Sequence, residues 1–221
     1  MKKYWLLGLS IINAVASAVY IACSSCTTVP IHWNIYGQAD GFMPKWFNMV
    51  LPGIVLIIGI SHVVAKMIME KNQDKNIRYA DKIMLFMFLM MTVISWLFIS
   101  LSMNRVTKLG GIVNTVILMI LGAAFVFIGN IMPKIAQNGW IGVRTASTMS
   151  DENVWRKTNK LGGYLGVVCG FLLIVLGVVN ATLGREDTLL LFVGIGLVLV
   201  MGAIIPTVYA VIIAKKIKTN K

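Results

Sequence analysis

The acid-base and metal-ligating stock of this 221-residue sequence is small, with two histidines, three cysteines and eight acidic residues. Cys23 and Cys26 stand in a C-x-x-C spacing, followed by His32 and Asp40. Such a run could hold a metal or undergo redox exchange, but a zinc site wants a fourth well-spaced ligand that this stretch does not plainly supply. Packing thiols and a local disulfide are the other readings. His62, with Ser61 and Lys66 nearby, could mark a proton path or be a histidine snorkelling to an interface. The sequence contains no phosphate-binding loop, no H-E-x-x-H helix and no G-x-S-x-G elbow. No catalytic residue, metal or cofactor is expected, and enzymatic chemistry has no constellation to rest on.

The elements that position these residues must be mostly lipid-embedded, because 58% of the residues are hydrophobic and only 13% are charged. Runs of about 20 apolar residues are long enough to span a bilayer as helices. They fall at Tyr4–Cys26, Trp46–Met67, Ile83–Met103, Ile112–Met132, Leu161–Leu183 and Thr188–Ala214. The runs are continuously apolar, as in VILMILGAAFVFIGNIM, and lack the alternation of a barrel strand. The expected fold class is all-α, a polytopic integral membrane protein with six transmembrane helices. The first run also reads as a signal peptide, but its length and Tyr20 favour a span.

The formal charge of +12 sorts by side in this plan. One side takes Lys2, Lys3, Lys66, Lys71, Lys75, Arg78, Lys82, Lys134, Arg144, Arg156, Lys157, Lys160, Lys215, Lys216, Lys218 and Lys221, sixteen of the twenty cations. The other keeps Lys45, Arg105, Lys108 and Arg185. The positive-inside rule therefore places both termini in the cytoplasm. The charge reads as an orientation signal with attraction to anionic lipid, and nucleic acid is not an expected partner.

Two connections carry most of the unusual residues. The outer one, 27–45, contains VPIHWNIYGQADGFMPKWF up to Phe47, in which Gly37 and Gly41 permit tight turns and Trp33, Tyr36, Phe42 and Trp46 suit an interfacial belt. It reads either as an interfacial re-entry or as a ligand-facing surface bearing His32, Asn34, Gln38 and Asp40. The inner one, 133–160, has Pro133 ending the fourth helix, a turn at Asn138 and Gly139, and Thr148 with Asp151 as a capping box for a short helix through Lys160. Trp155 and Asn159 lie one turn apart on that helix. Arg144 could tie a structural contact or meet a partner. The stretch from Glu70 to Lys82 reads as a solvated turn.

Gly162, Gly166 and Gly170 put bare backbone on one helix face, for packing within the chain or, alternatively, for a homodimer. Pro206 is expected to bend the last span. A domain division into 1–67, with two helices, and 83–214, with four, follows from the placement of the loops.

At these two loops the sequence resembles the SdpI family. The inner segments GNIMPKIAQNGWIGVRT and SDENVWRKTNKLGG match that family's pattern at Asn130, Pro133, Asn138, Gly142, Arg144, Thr145, Trp155 and Lys157. The outer segment PIHWNIYGQADGFMPK is similar to its amino-terminal module at His32, Asn34, Gly37, Asp40 and Gly41. Ala146 and Ser147 stand where members commonly carry Pro-Trp, and Asn159 replaces the usual histidine. The resemblance implies a non-enzymatic immunity protein of the bacterial cytoplasmic membrane that meets a secreted toxin peptide on its outer side. It further implies a signal receptor that sequesters a cytosolic repressor, docking on the inner side through exposed Trp155 and Arg144. The alternative function is a small transporter or exporter of peptide or lipid, suggested by Pro206, Asn180 and the glycine-rich fifth helix.

Overall fold

A computed structural model describes residues 4–34, 36–139, 141–184 and 189–219. Lys2, Lys3, Arg185 and Lys221 of the charge argument lie outside the described residues, as does Thr188 at the expected start of the last span. Among the described residues, six helices are long and apolar enough to cross a membrane: Trp5–Cys23, Lys45–Lys71, Ile77–Met103, Ile112–Lys134, Glu152–Thr182 and Leu189–Ile217. The chain divides into two compact units, Met1–Leu109 and Gly110–Lys221. This three-plus-three division differs from the expected two-plus-four. The third helix packs on the first two and on the connection between them, so it belongs with the first unit.

Unit 1 runs α1 (Trp5–Cys23), β1 (Thr28–Trp33), β2 (Ala39–Pro44), a 3-10 turn (Lys45–Met49), α2 (Val50–Lys71) and α3 (Ile77–Met103). The outer connection is thus a folded antiparallel hairpin, an element that the all-helical expectation did not contain. Its root closes α1, because Lys45 Nζ donates to the carbonyls of Ala22 (3.2 Å) and Ser24 (2.7 Å), which the end of a helix leaves without amide partners. Two apolar clusters form the core, one of Leu6, Val55, Ile58 and Phe88, the other of Ile21, Val29, Ile99 and Met103. The latter seats the hairpin through Val29. The inward stripe of α1 is Leu6, Ser10, Asn13, Ser17 and Ile21, polar in its middle, while its apolar majority faces outward.

The third span begins at Ile77 rather than Ile83, and the solvated turn shrinks accordingly. Asp74 accepts from the Asn76 amide (2.7 Å) just ahead of the helix, and the charged residues from Arg78 to Lys82 occupy its first turns.

Unit 2 runs α4 (Ile112–Ile131), a 3-10 turn (Met132–Lys134), α5 (Ala146–Ser150), α6 (Glu152–Thr182), α7 (Leu189–Leu197), a π-helical stretch (Val198–Ile204) and α8 (Ile205–Thr219). The expected short helix and fifth span are one continuous 31-residue helix. Its N-cap is Asp151, which accepts from the amides of Asn153 and Val154 (2.7 and 3.2 Å). The capping box lies one step earlier than expected and joins Thr145 to Thr148 at the start of α5.

Small residues bring α4 and α6 together inside this unit. A Cβ added to Gly129 would come 2.6 Å from the Gly163 carbonyl oxygen, and one added to Gly170 would come 2.5 Å from that of Gly122. Backbone meets backbone there, so the glycine face is used within the chain. Gly162 belongs to the same crowded helix, facing Met132, Val143 and Pro206. Asn180, buried at the far end of α6, donates to the Gly111 carbonyl (2.9 Å) and to Thr115 Oγ1 (3.0 Å), pinning that end to the start of α4. The last span absorbs Pro206 through the π-helical stretch just before it, whose wider turn tolerates a proline that cannot donate to the ladder.

Candidate functional site

The hairpin of unit 1 is shaped by residues singled out in the sequence. Asn34 Oδ1 accepts from the amides of Tyr36 (2.9 Å) and Gln38 (3.0 Å), and the Asn34 amide donates to the Gln38 carbonyl (2.9 Å), so one side chain organises the tip. Gly37 takes φ +71°, and an added Cβ would lie 2.7 Å from the Leu109 carbonyl oxygen. The segment following α3 pins the tip from the side, through Ala39 N to Thr107 O (2.8 Å) and Leu109 N to Gly37 O (2.7 Å). Trp33 is half-buried, donates to the Val106 carbonyl (2.9 Å) and meets the Phe98 ring edge-on. Beneath the strands, Ser102 Oγ donates to the Pro30 carbonyl (2.7 Å) and accepts from Asn48 Nδ2 (3.1 Å).

Irregular pairing between Pro30 and His32, and again between His32 and Trp33, leaves Asp40 without a strand partner and beside His32. His32 Nδ1 and Asp40 Oδ1 are 2.5 Å apart, with the two side chains 67% and 45% exposed, so the pair is presented to the surroundings. Gly41 makes room for it, since a Cβ there would lie 3.0 Å from that of His32. Tyr36, Phe42, Met43 and Trp46 are also exposed. Of the hairpin residues marked in the sequence, His32 and Asp40 therefore face outward, and Trp33, Asn34, Gly37 and Gly41 hold the shape that presents them. Cys23 and Cys26 are free thiols, the first exposed and the second against the Met103 carbonyl. Among the described residues, no three His, Cys, Asp or Glu side chains converge on one point.

Sequence reasoning missed a second constellation in unit 1. His62 is completely buried rather than snorkelling, its Nε2 lies 2.8 Å from Asp81 Oδ1, and Lys66 Nζ donates to Asp81 Oδ2 (3.1 Å). Trp5 covers the imidazole edge-on at 6.0 Å between ring centres. With the third span expected to start at Ile83, Asp81 falls in the turn and out of view. The signal that could have found it is the spacing of His62 and Lys66, one turn apart on α2, which puts an imidazole and an ammonium on one face and calls for a carboxylate opposite. Asp81→Leu is expected to strand the histidine Nε2 in the core. The expected cost is about 1–3 kcal/mol, measurable as a lower midpoint in denaturant titration of the purified protein, with Asp81→Asn recovering most of it.

The unit 2 loop is tied from within. Asn138 Nδ2 donates to the carbonyls of Ala136 (2.8 Å) and Ile141 (3.2 Å), while its Oδ1 accepts the Ile141 amide (2.9 Å). Asn159 Oδ1 accepts the Val143 amide (2.8 Å) and its Nδ2 donates to the Trp155 carbonyl (3.0 Å). Gly142 takes φ +122°, and a Cβ there would come 2.5 Å from Asn159 Oδ1 and 2.9 Å from the Trp155 ring. Thr145 and Thr148 fasten the following turn, with Thr148 Oγ1 donating to the Val143 carbonyl (2.8 Å). Pro133 packs on Gly163, and Lys134 reaches back to Asn130 Oδ1 (2.8 Å) on the surface.

This geometry corrects the expectation of an exposed Trp155. Its side chain is 2% exposed and its indole donates to the Ile135 carbonyl (3.0 Å), so it is an anchor of the loop and not a docking group. Asn159, also buried, is an anchor of the same kind. Among the residues that the loop exposes are Arg144, Arg156, Lys157 and Lys160, with the acidic Glu152 in the same stretch, and Arg144 has no hydrogen bond or ion pair with any described residue.

Six helices of membrane length, two of whose connections are self-tied polar loops, define a multi-pass helical membrane protein. Residues 134–210 match the SdpI/YfhL protein family, and residues 8–57 match a domain of unknown function, DUF1648. The chain is 31% identical over 150 residues to the immunity protein SdpI of Bacillus subtilis (strain 168), covering 67% of this chain and 68% of that protein. No solved structure matches the chain. The chain belongs to the SdpI/YfhL protein family and is a multi-pass protein of the bacterial membrane.

Proposed function

We propose that this chain is a membrane immunity protein that protects its cell against a secreted antimicrobial peptide by binding rather than by catalysis, with the hairpin of unit 1 as the peptide-facing surface. The observation that carries this reading is the outward His32–Asp40 pair on a hairpin whose other marked residues serve to hold it. Beside it, exposed Tyr36, Phe42 and Trp46 offer apolar contact for a peptide arriving at the membrane surface. The distribution of cations supports an orientation with both termini in the cytoplasm and this hairpin outside.

On the opposite side in that orientation, Arg144, Arg156, Lys157 and Lys160 form a basic surface suited to an acidic face of a cytosolic repressor. Signalling through it requires two states that bind toxin or repressor differently. The features that suggest transport have structural uses here: Asn180 pins α6 to α4, the glycines seat α4, and the turn before Pro206 accommodates it.

The test is survival of a sensitive bacterium expressing the chain, challenged with a panel of secreted toxin peptides. The intact chain is expected to raise survival, His32→Ala to lose most of that protection at equal membrane abundance, and Arg144→Ala to retain protection while losing reporter induction. Unchanged killing across the whole panel would sink the proposal.

A further inference from the structure

The inward stripe of α1 is unusual for a helix in a bilayer, because its middle three positions are Ser10, Asn13 and Ser17. Ser10 satisfies itself on the Leu6 carbonyl (2.8 Å). Asn13 and Ser17 do not: Asn13 Oδ1 accepts from Trp96 Nε1 (2.9 Å), but Asn13 Nδ2 and Ser17 Oγ are buried without a partner. On α3, Thr92 Oγ1 and Ser95 Oγ are buried and unpartnered as well.

Helix register brings these four atoms to one level. Trp96 touches both Asn13, by its hydrogen bond, and Tyr20, by an edge contact at 5.8 Å, so α3 at Trp96 faces α1 between those residues. Ser17 lies in that interval, and Thr92 and Ser95 are within about one turn of Trp96. Just below this level α1 and α2 are in close contact, since a Cβ on Gly59 would meet Ser10 Cβ at 2.8 Å and Leu7 Cα at 3.1 Å. The Trp96 contacts therefore set the polar level where α3 faces α1, in the core of unit 1.

An unpaired amide or hydroxyl buried in apolar surroundings carries a free-energy cost that water or another hydrogen-bonding ligand removes. No Asp, Glu, Lys or Arg occurs in α1 or from Ile83 to Met103, so nothing there balances a charged ligand. Both ends are apolar. Leu6 sits in one buried cluster and Ile21 in the other, and both side chains are 0% exposed.

We propose that the α1–α3 interface of unit 1 holds an occluded polar site that binds a small cluster of water molecules on Asn13, Ser17, Thr92 and Ser95, sealed by the Leu6 and Ile21 clusters. The site takes uncharged hydrogen-bonding ligands because it offers amide and hydroxyl groups and no ionised ones. A buried water makes about three hydrogen bonds, and the four orphan atoms, with neighbouring waters of the cluster, supply them. The assignment is independent of the immunity reading, since it concerns the interior of the unit and not the hairpin surface.

The test is water-edited solid-state NMR of the full-length protein in lipid nanodiscs, reading polarisation transfer from water to assigned side chains. Transfer to the Asn13 amide several-fold faster than to the Leu6 and Ile21 methyls is the expected result, and a Ser17→Ala/Ser95→Ala variant is expected to slow it several-fold. An Asn13 amide as dry as the two plugs overturns the site. Plugs as wet as Asn13 overturn the occlusion, and unchanged transfer in the alanine variant overturns the role of the two hydroxyls.

Discussion

Trp155→Ala is expected to destabilise unit 2 by about 3–5 kcal/mol, the range for emptying a buried aromatic site. The indole is 2% exposed, fills the space under Gly142 and donates to the Ile135 carbonyl. Truncation removes packing and also leaves that carbonyl without its donor. Trp155→Phe weights the second effect, because it keeps an aromatic ring in the site while losing the N–H and part of the ring volume, with an expected cost no smaller than that of the unpaired carbonyl, about 1–3 kcal/mol. The measurement is denaturant titration combined with limited proteolysis across 135–151, where the alanine variant is expected to be cut first. A variant as stable and as protected as the parent would return Trp155 to the role of a surface group.

Gly170→Ala is expected to weaken the α4–α6 contact despite the better helix propensity of alanine. Propensity favours the substitution by about 1 kcal/mol. Against it, the new methyl would lie 2.5 Å from the Gly122 carbonyl oxygen and 2.7 Å from the Val126 amide nitrogen, and neither backbone atom can rotate away. Overpacking of this kind costs about 1–3 kcal/mol, so the balance is a loss, deepened by combining it with Gly129→Ala. Gly196→Ala in α7 is the control, because an added Cβ there meets nothing within 4 Å. A lower unfolding midpoint for the first and an unchanged or higher one for the second is the expected pattern; equal midpoints would mean that the helices separate at no cost.

The six spans are readable in the sequence because each is a continuous apolar run, and no tertiary contact is needed to see one. Their ends are not. Arg78 and Lys82 look like solvent until Asp81 is seen paired to His62 and Lys66, and the charges from Glu152 to Lys160 look like a separate short helix until α6 is seen to continue through them. The hairpin escapes for a different reason. Asn34 and Gly37 signal the turn, but Gly41 signals one too and lies inside β2, while Pro30 and two irregular pairings break the alternation by which strands are recognised. The marked residues of both loops are mostly scaffolding, because a motif records that a side chain is needed without recording whether it points in or out. Trp155 is the clearest instance, an aromatic among charges that reads as surface and is core.

The length of α6 has a mechanical meaning. At about 1.5 Å per residue its 31 residues make a rod of roughly 46 Å against a hydrocarbon slab of about 30 Å. The difference corresponds to about ten residues of overhang, and Arg156, Lys157 and Lys160 lie in it. Below them the same rod carries Gly163, Gly166 and Gly170 locked into α4, and Asn180 fastened to Gly111 at its far tip. A torque applied to the basic overhang would therefore be felt a full membrane thickness away, without any joint in between.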